Sequence, residues 1–229
     1  MENKRRLFLK CACATAVGAV GSTKLIAAQS GTKTDDTEVE VNYALIHDET
    51  KCIGCEVCVD ACRETNNVPE GVSRLEIVKT GPFGEYPNQY FSFSRKSCQQ
   101  CDETPCVNVC PTGAAYKDPK TGIVSVDSWK CVGCMYCIAA CPYQIRFINP
   151  VTKAADKCDF CKETRLKERK SPACVDACPT KALVFGNLKD PDSEIVKVLK
   201  TTPNYRSKTD LGTRPKLFRI AAKNGEIKL

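Results

Sequence analysis

Sixteen cysteines fall in four ordered quartets between Cys52 and Cys178. The first, Cys52, Cys55, Cys58 and Cys62, is spaced C-x2-C-x2-C-x3-C. The second, Cys98, Cys101, Cys106 and Cys110, is spaced C-x2-C-x4-C-x3-C and is followed by Pro111. The third, Cys131, Cys134, Cys137 and Cys141, repeats the first spacing and precedes Pro142. The fourth, Cys158, Cys161, Cys174 and Cys178, is spaced C-x2-C-x12-C-x3-C and precedes Pro179. With 18 cysteines in 229 residues, the choices are a disulfide scaffold, zinc sites or iron–sulfur clusters. Every quartet contains a C-x2-C pair, which does not easily supply a relaxed disulfide. A zinc ribbon pairs two C-x2-C units and needs neither three-cysteine runs nor a proline after the fourth cysteine.

The first and third spacings are the bacterial ferredoxin run for [4Fe–4S] clusters. Three cysteines in a tight loop reach three irons of one cubane. The fourth, three residues on, is expected where a helix begins, pointing away towards a neighbouring cluster. A following proline suits a chain that leaves the helical turn extended. Gly54 and Gly133 lie inside the loops, where a side chain is expected to crowd the cluster.

Composition agrees with a core organised around metal centres. The 42 % hydrophobic fraction includes the cysteines, so the apolar core is thin for this length and cluster binding is expected to be part of the folding free energy. A single histidine, His47, excludes histidine-rich metal sites and reads as structural. The formal charge is +7, a value that by itself suggests nucleic acid or an anionic membrane surface. Residues 1–28 carry Lys4, Arg5, Arg6, Lys10 and Lys24 against Glu2, so their removal leaves +3. Each oxidised four-thiolate cluster carries about −2, which brings the remainder to about −5 with four clusters. The basic excess then reads as compensation for buried cluster charge rather than as a nucleic-acid footprint.

The N-terminus, Asn3-Lys4-Arg5-Arg6-Leu7-Phe8-Leu9-Lys10, resembles a twin-arginine export signal, with Lys4 where Ser or Thr is usual. A small-residue, weakly hydrophobic stretch follows from Cys11 to Ala28, broken by Lys24, with cleavage expected before Gln29. Cys11 and Cys13 inside it read as incidental. No other stretch approaches about 18 uninterrupted apolar residues. Since that route exports folded proteins, clusters inserted in the cytoplasm are expected to cross intact.

The layout is therefore a signal over 1–28, a polar linker over 29–42, a cluster-binding domain over 43–190, and a C-terminal helix with an extended tail over 191–229. Ile123–Val126, Ile145–Ile148 and Ala182–Phe185 read as short strands, with a turn over 118–122. Leu75–Lys79 and Tyr90–Phe93 are expected to form an added hairpin. A helix is expected over 193–200, capped by Asp192 or Ser193, with Ile195, Val196 and Leu199 on one face.

Beyond the cysteines, five segments carry a family resemblance. They are His47-Asp48-Glu49, Cys62-Arg63-Glu64, Pro69 to Leu75, Asp156 to Cys161 and Leu211 to Leu217. On these, residues 43–229 resemble the four-cluster ferredoxin-like subunits of bacterial respiratory oxidoreductases, most of all the NrfC-type periplasmic subunits of formate-dependent nitrite reduction. The resemblance implies an α+β fold of two nested ferredoxin-like units, the inner spanning about 97–141. It also implies a ligand pairing: Cys52, Cys55, Cys58 and Cys178; Cys158, Cys161, Cys174 and Cys62; Cys98, Cys101, Cys106 and Cys141; and Cys131, Cys134, Cys137 and Cys110. It implies four [4Fe–4S] clusters, an NrfD-type integral membrane partner that oxidises menaquinol, and a multihaem c-type cytochrome downstream, at the outer face of the inner membrane.

No nucleotide loop, flavin site, haem motif or nucleophile constellation is recognisable, so the chain reads as an electron-transfer subunit rather than an enzyme. The rival reading is the iron–sulfur subunit of a molybdopterin oxidoreductase (dimethyl sulfoxide, polysulfide or tetrathionate reductase) or of a cytochrome sulfite reductase. Lys117, Lys120, Lys130 and the Lys162–Lys170 stretch read as solvated charge before docking surface. Trp129 and Tyr136, beside the third quartet, read as packing around a cluster.

Overall fold

The structure, a computed structural model, describes residues 41–222. The export-signal reading of residues 1–28, with Cys11 and Cys13, and linker residues 29–40 lie outside this range. Among the described residues no helix is long and apolar enough to cross a membrane.

The centre is a three-stranded sheet in which the first strand of the chain lies between the last two. Strand β1 (Tyr43–Asp48) is buried along almost its whole length, as befits a central strand covered on both faces. It pairs antiparallel with β8 (Leu183–Asn187) and parallel with β9 (Leu217–Ile220), so that Leu45 faces Phe185 on one side and Leu217 on the other. Successive side chains of β1 point to opposite faces. Leu45 joins a core containing Cys62, Cys98, Cys158 and Cys174 with Leu75, Ile123, Leu183 and Leu217. Ala44 and Ile46 meet Ile195 of helix α5 (Glu194–Thr201) instead. Helix α5 follows the sequence expectation, with Ile195 fully buried and Val196 and Leu199 packed beside it. Gly186 permits its close approach: a Cβ there would lie 2.8 Å from Cγ2 of Ile195.

The two units are nested. Helix α1 (Val57–Thr65), from the first quartet, packs on α4 (Ala173–Asp176), from the fourth. Helices α2 (Pro105–Asn108) and α3 (Tyr136–Ala139), from the second and third, pack on each other. The added hairpin is present and longer than expected, as β2 (Leu75–Phe83) against β3 (Tyr90–Ser97). Strand β4 (Ala115–Lys117) pairs with β5 (Val124–Val126), and β6 (Phe147–Ile148) with β7 (Ala155–Asp156).

The helices start one cysteine earlier than the spacing suggests. Cys58, Cys106, Cys137 and Cys174 each sit in the first turn of their helix, and Cys110, Cys141 and Cys178 follow just past its end. Four-residue helices are too short to carry both the third and the fourth cysteine. Gly54 and Gly133 have φ of +71° and +68°, the left-handed region that suits glycine. A Cβ at Gly54 would overlap the Phe93 ring of the hairpin, a contact the cysteine spacing does not reveal.

The C-terminal segment clamps the units together. Backbone bonds join Asp102 N–H to Arg214 O at 3.0 Å, Glu103 N–H to Thr213 O at 3.1 Å and Lys216 N–H to Gln99 O at 2.8 Å. Lys216 Nζ is buried and donates to Asn42 Oδ1 at 2.9 Å and Gly122 O at 2.8 Å. Burial pulls its pKa down to about 8, against the opposing pull of Asp102.

His47 is structural: it is buried, and its Nδ1 accepts from the Arg95 N–H at 3.3 Å. Burial, then Arg95 and Arg219, lowers its pKa from 6.5 to about 3. The unfolded chain therefore binds one more proton between those values, and stability rises with pH across that window. Wild-type protein should lose about 1.4 kcal/mol more per pH unit than His47→Gln as pH falls below about 6.5, measured by denaturant unfolding. Equal slopes for the two proteins would refute the assignment.

Candidate iron–sulfur centres

All sixteen cysteines of the quartets are free thiols, and the fold gathers them into four groups of four. Cys62, Cys158, Cys161 and Cys174 line one small cavity. Cys110, Cys131, Cys134 and Cys137 line another. The thiols acting on Cys101 are Cys98, then Cys106 and Cys141. Those acting on Cys52 are Cys178, then Cys55, and Cys58 feels Cys174 of the adjoining second group, then Cys52 and Cys178. In each group three cysteines come from one quartet and one from its packing partner. Among the described residues, no three His, Cys, Asp or Glu side chains are spaced to hold a single metal ion.

The groups form a series. Arg95 acts on Cys174 and Cys158 of the second group and on Cys58 of the first. Lys157 precedes Cys158 of the second and acts on Cys106 of the third. Arg146 acts on Cys106 and Cys98 of the third and on Cys137 of the fourth. Exposure follows this order. Cys55 and Cys134, in the two end groups, are exposed, whereas every thiol of the second group is buried.

The donor set fits a charged, thiolate-ligated centre. Burial, then neighbouring thiols, pushes Cys101 up to about 12. Burial pushes Cys158 to about 12 against Arg95, and Cys58 to about 11 likewise. Such thiols stay protonated at neutral pH unless bound metal takes the proton's place. Donors are already aimed at the sulfurs. The N–H groups of Ala115, Ala155 and Ala182 reach Sγ of Cys110, Cys131 and Cys178, each at 3.3 Å. Asn66 Nδ2 lies 3.4 Å from Cys161 Sγ and 3.7 Å from Cys62 Sγ. Arg146 Nη2 lies 3.0 Å from Cys106 Sγ.

Sequence reasoning missed Asn66, Arg95, Arg146 and Lys157 as neighbours of the thiols. None lies at a telling distance from its own quartet except Lys157, and a lysine beside a cysteine carries no pattern. Trp129 is 97 % exposed and Tyr136 62 %, so neither is buried as packing around a centre. With Val132 and Met135 they leave apolar surface beside Cys134. Most of the lysines weighed as docking charge are paired locally. Lys162 meets Asp118 at 2.6 Å, Lys117 meets Asp102 at 3.2 Å, Lys130 meets Asp127 at 3.6 Å, and Lys170 meets Glu168 at 2.7 Å.

Comparison with known proteins agrees with this chemistry. Models of the 4Fe-4S dicluster domain match residues 51–114 and residues 89–188. Protein NrfC of Escherichia coli is 56 % identical over 99 % of each chain. The polysulfide reductase B chain of Wolinella succinogenes is 54 % identical over 81 % of this sequence and 97 % of its own. The thiosulfate reductase electron transfer subunit PhsB of Salmonella typhi is 47 % identical over 77 % and 91 % respectively. A thiol-built core of two nested ferredoxin-like units, in a chain that NrfC matches over nearly its whole length, places this chain in the NrfC-like family of electron-transferring 4Fe-4S proteins.

Proposed function

We propose that each group of thiols holds one [4Fe–4S] cluster and that the chain is a two-ended electron relay. The ligand sets are Cys52, Cys55, Cys58 and Cys178; Cys62, Cys158, Cys161 and Cys174; Cys98, Cys101, Cys106 and Cys141; and Cys110, Cys131, Cys134 and Cys137. When bound, such clusters accept and pass single electrons. The protein's part is to hold the thiolates, aim backbone N–H groups at them and keep water from the middle of the series. The observation that carries this reading is the exposure pattern: the terminal groups reach the surface through Cys55 and Cys134, and the second group is wholly buried. A store or a structural centre needs no exposed end, while a relay needs two.

The finer reading follows the relative matched over nearly the whole chain. Exported by the twin-arginine route to the periplasm, the chain takes electrons from an NrfD-type quinol-oxidising membrane protein. It delivers them to a multihaem c-type cytochrome for nitrite reduction. Identity with the polysulfide reductase B chain is nearly as high and supports a second reading, service to a molybdopterin reductase. Anaerobic purification should yield about sixteen irons per chain with matching sulfide; a colourless, iron-poor protein would end the relay reading. Membranes with the coexpressed NrfD-type partner should then reduce the centres on addition of menaquinol. Reduction only with a molybdopterin subunit present would favour the second reading.

A further inference from the structure

Four basic side chains are buried among the described residues: Arg95, Arg146, Lys157 and Lys216. Lys216 lies 3.5 Å from the Asp102 carboxylate. Among the described residues the other three meet no carboxylate in an ion pair, although an unpaired buried cation is strongly unfavourable without an opposite charge nearby. Arg95 is completely buried and anchored through Nε to Ser97 Oγ at 2.8 Å. Its terminal nitrogens meet no partner among the described residues other than the Cys174 thiol, and it lines the cavity of the second thiol group. Arg146 puts Nη2 on Cys106 and leaves Nη1 similarly without a partner. Lys157 Nζ donates to the carbonyls of Val124 and Cys158, where the inner unit meets the outer.

Each cation stands at a different interval of the series: Arg95 between the first and second groups, Lys157 between the second and third, Arg146 between the third and fourth. We propose that these three residues set the reduction potentials of the centres on either side of them, one buried cation serving each interval. The inference rests on the four-centre reading above. Reduction brings one electron from an external donor and adds one negative charge to a centre already at about −2. No bond in the protein forms or breaks. An unneutralised cation in a low-dielectric interior stabilises that charge strongly, so it raises the potential. Shared between two centres, it raises both and keeps the step between them shallow.

Arg74 supplies the contrast. It acts on Cys158 as well, but Asp156 at 2.9 Å and Asp159 at 3.2 Å cancel its charge. The three cations also come from unrelated places, β3 of the hairpin, the approach to β6 and the residue after β7. The added hairpin thereby delivers Arg95 to the first interval.

The test uses the anaerobically purified full chain, with iron analysis and a dithionite titration followed by electron paramagnetic resonance and visible absorbance. Arg95→Gln should keep its iron and move one part of the titration curve to lower potential. The expected change is at least tenfold in the reduction equilibrium, about 59 mV for one electron. Arg146→Gln should move a different part. Arg95→Lys should restore most of the shift, and Lys96→Gln, an exposed residue of the same strand, should leave the curve unchanged. Iron-replete Arg95→Gln and Arg146→Gln with curves superimposable on wild type would overturn the proposal. So would loss of iron from Arg95→Gln, Arg146→Gln and Lys157→Met alike, which would assign the cations to assembly alone. A wild-type chain with far fewer than about sixteen irons defeats the four-centre reading separately, before any variant is compared.

Discussion

Cys178→Ser should cost the protein the centre built on Cys52, Cys55 and Cys58, more than a hundred residues away in sequence. The thiol of Cys178 is the first to act on Cys52 and, after Cys174 and Cys52, also acts on Cys58, while Cys174 shares its cavity with Cys62, Cys158 and Cys161. Iron should fall by about four atoms per chain. Cys58→Ser should give the same loss, and the double variant no more than either alone, because residues acting as one unit do not add. Cys178→Ser with Cys174→Ser should lose two centres. Iron analysis with electron paramagnetic resonance separates these outcomes. A Cys58/Cys178 double variant that loses twice the iron of either single variant would break the nested pairing.

The second large effect is expected at Leu217. It is fully buried, pairs across β1 with Leu45 and packs in the core that holds Cys62, Cys98, Cys158 and Cys174. Leu217→Ala should destabilise the protein by about 2–5 kcal/mol, a large share of the roughly 5–15 kcal/mol available to a domain. Because the thiols lie within that core, bleaching of visible absorbance and loss of far-ultraviolet dichroism should move together to lower urea concentration. Tyr86→Ala, at a residue 88 % exposed, should shift neither by a comparable amount. A Leu217→Ala midpoint within experimental error of wild type would show that β9 is not part of the stabilising core.

What is legible in the sequence is local. The hairpin β2–β3 and helix α5 show themselves through alternation and helical spacing. The central sheet does not. Strand β1 is covered on both faces, so Tyr43-Ala44-Leu45-Ile46-His47-Asp48 shows no alternation, and its buried His47 and Asp48 break the apolar run. Strand β9 follows a stretch that reads as an irregular tail, and only its parallel pairing with β1 gives it a place. Trp129 misleads because an aromatic residue beside a cluster motif suggests packing, whereas in the fold its side chain stands almost wholly in solvent.

The sixteen cysteines alone determined the chemistry, since their spacing admits tight loops that present thiols in threes and little else. Family resemblance then supplied which quartets exchange their fourth cysteines. Only the tertiary structure decided the environment. Packing of α1 on α4 and of α2 on α3 chooses which thiols meet, burial orders them from an exposed end through a closed middle to a second exposed end, and Arg95, Lys157 and Arg146 converge on the intervals from unrelated positions. Ligand type is written in residue identity and spacing. The electrostatics of a buried site depend on distance and dielectric, which no single stretch of chain contains.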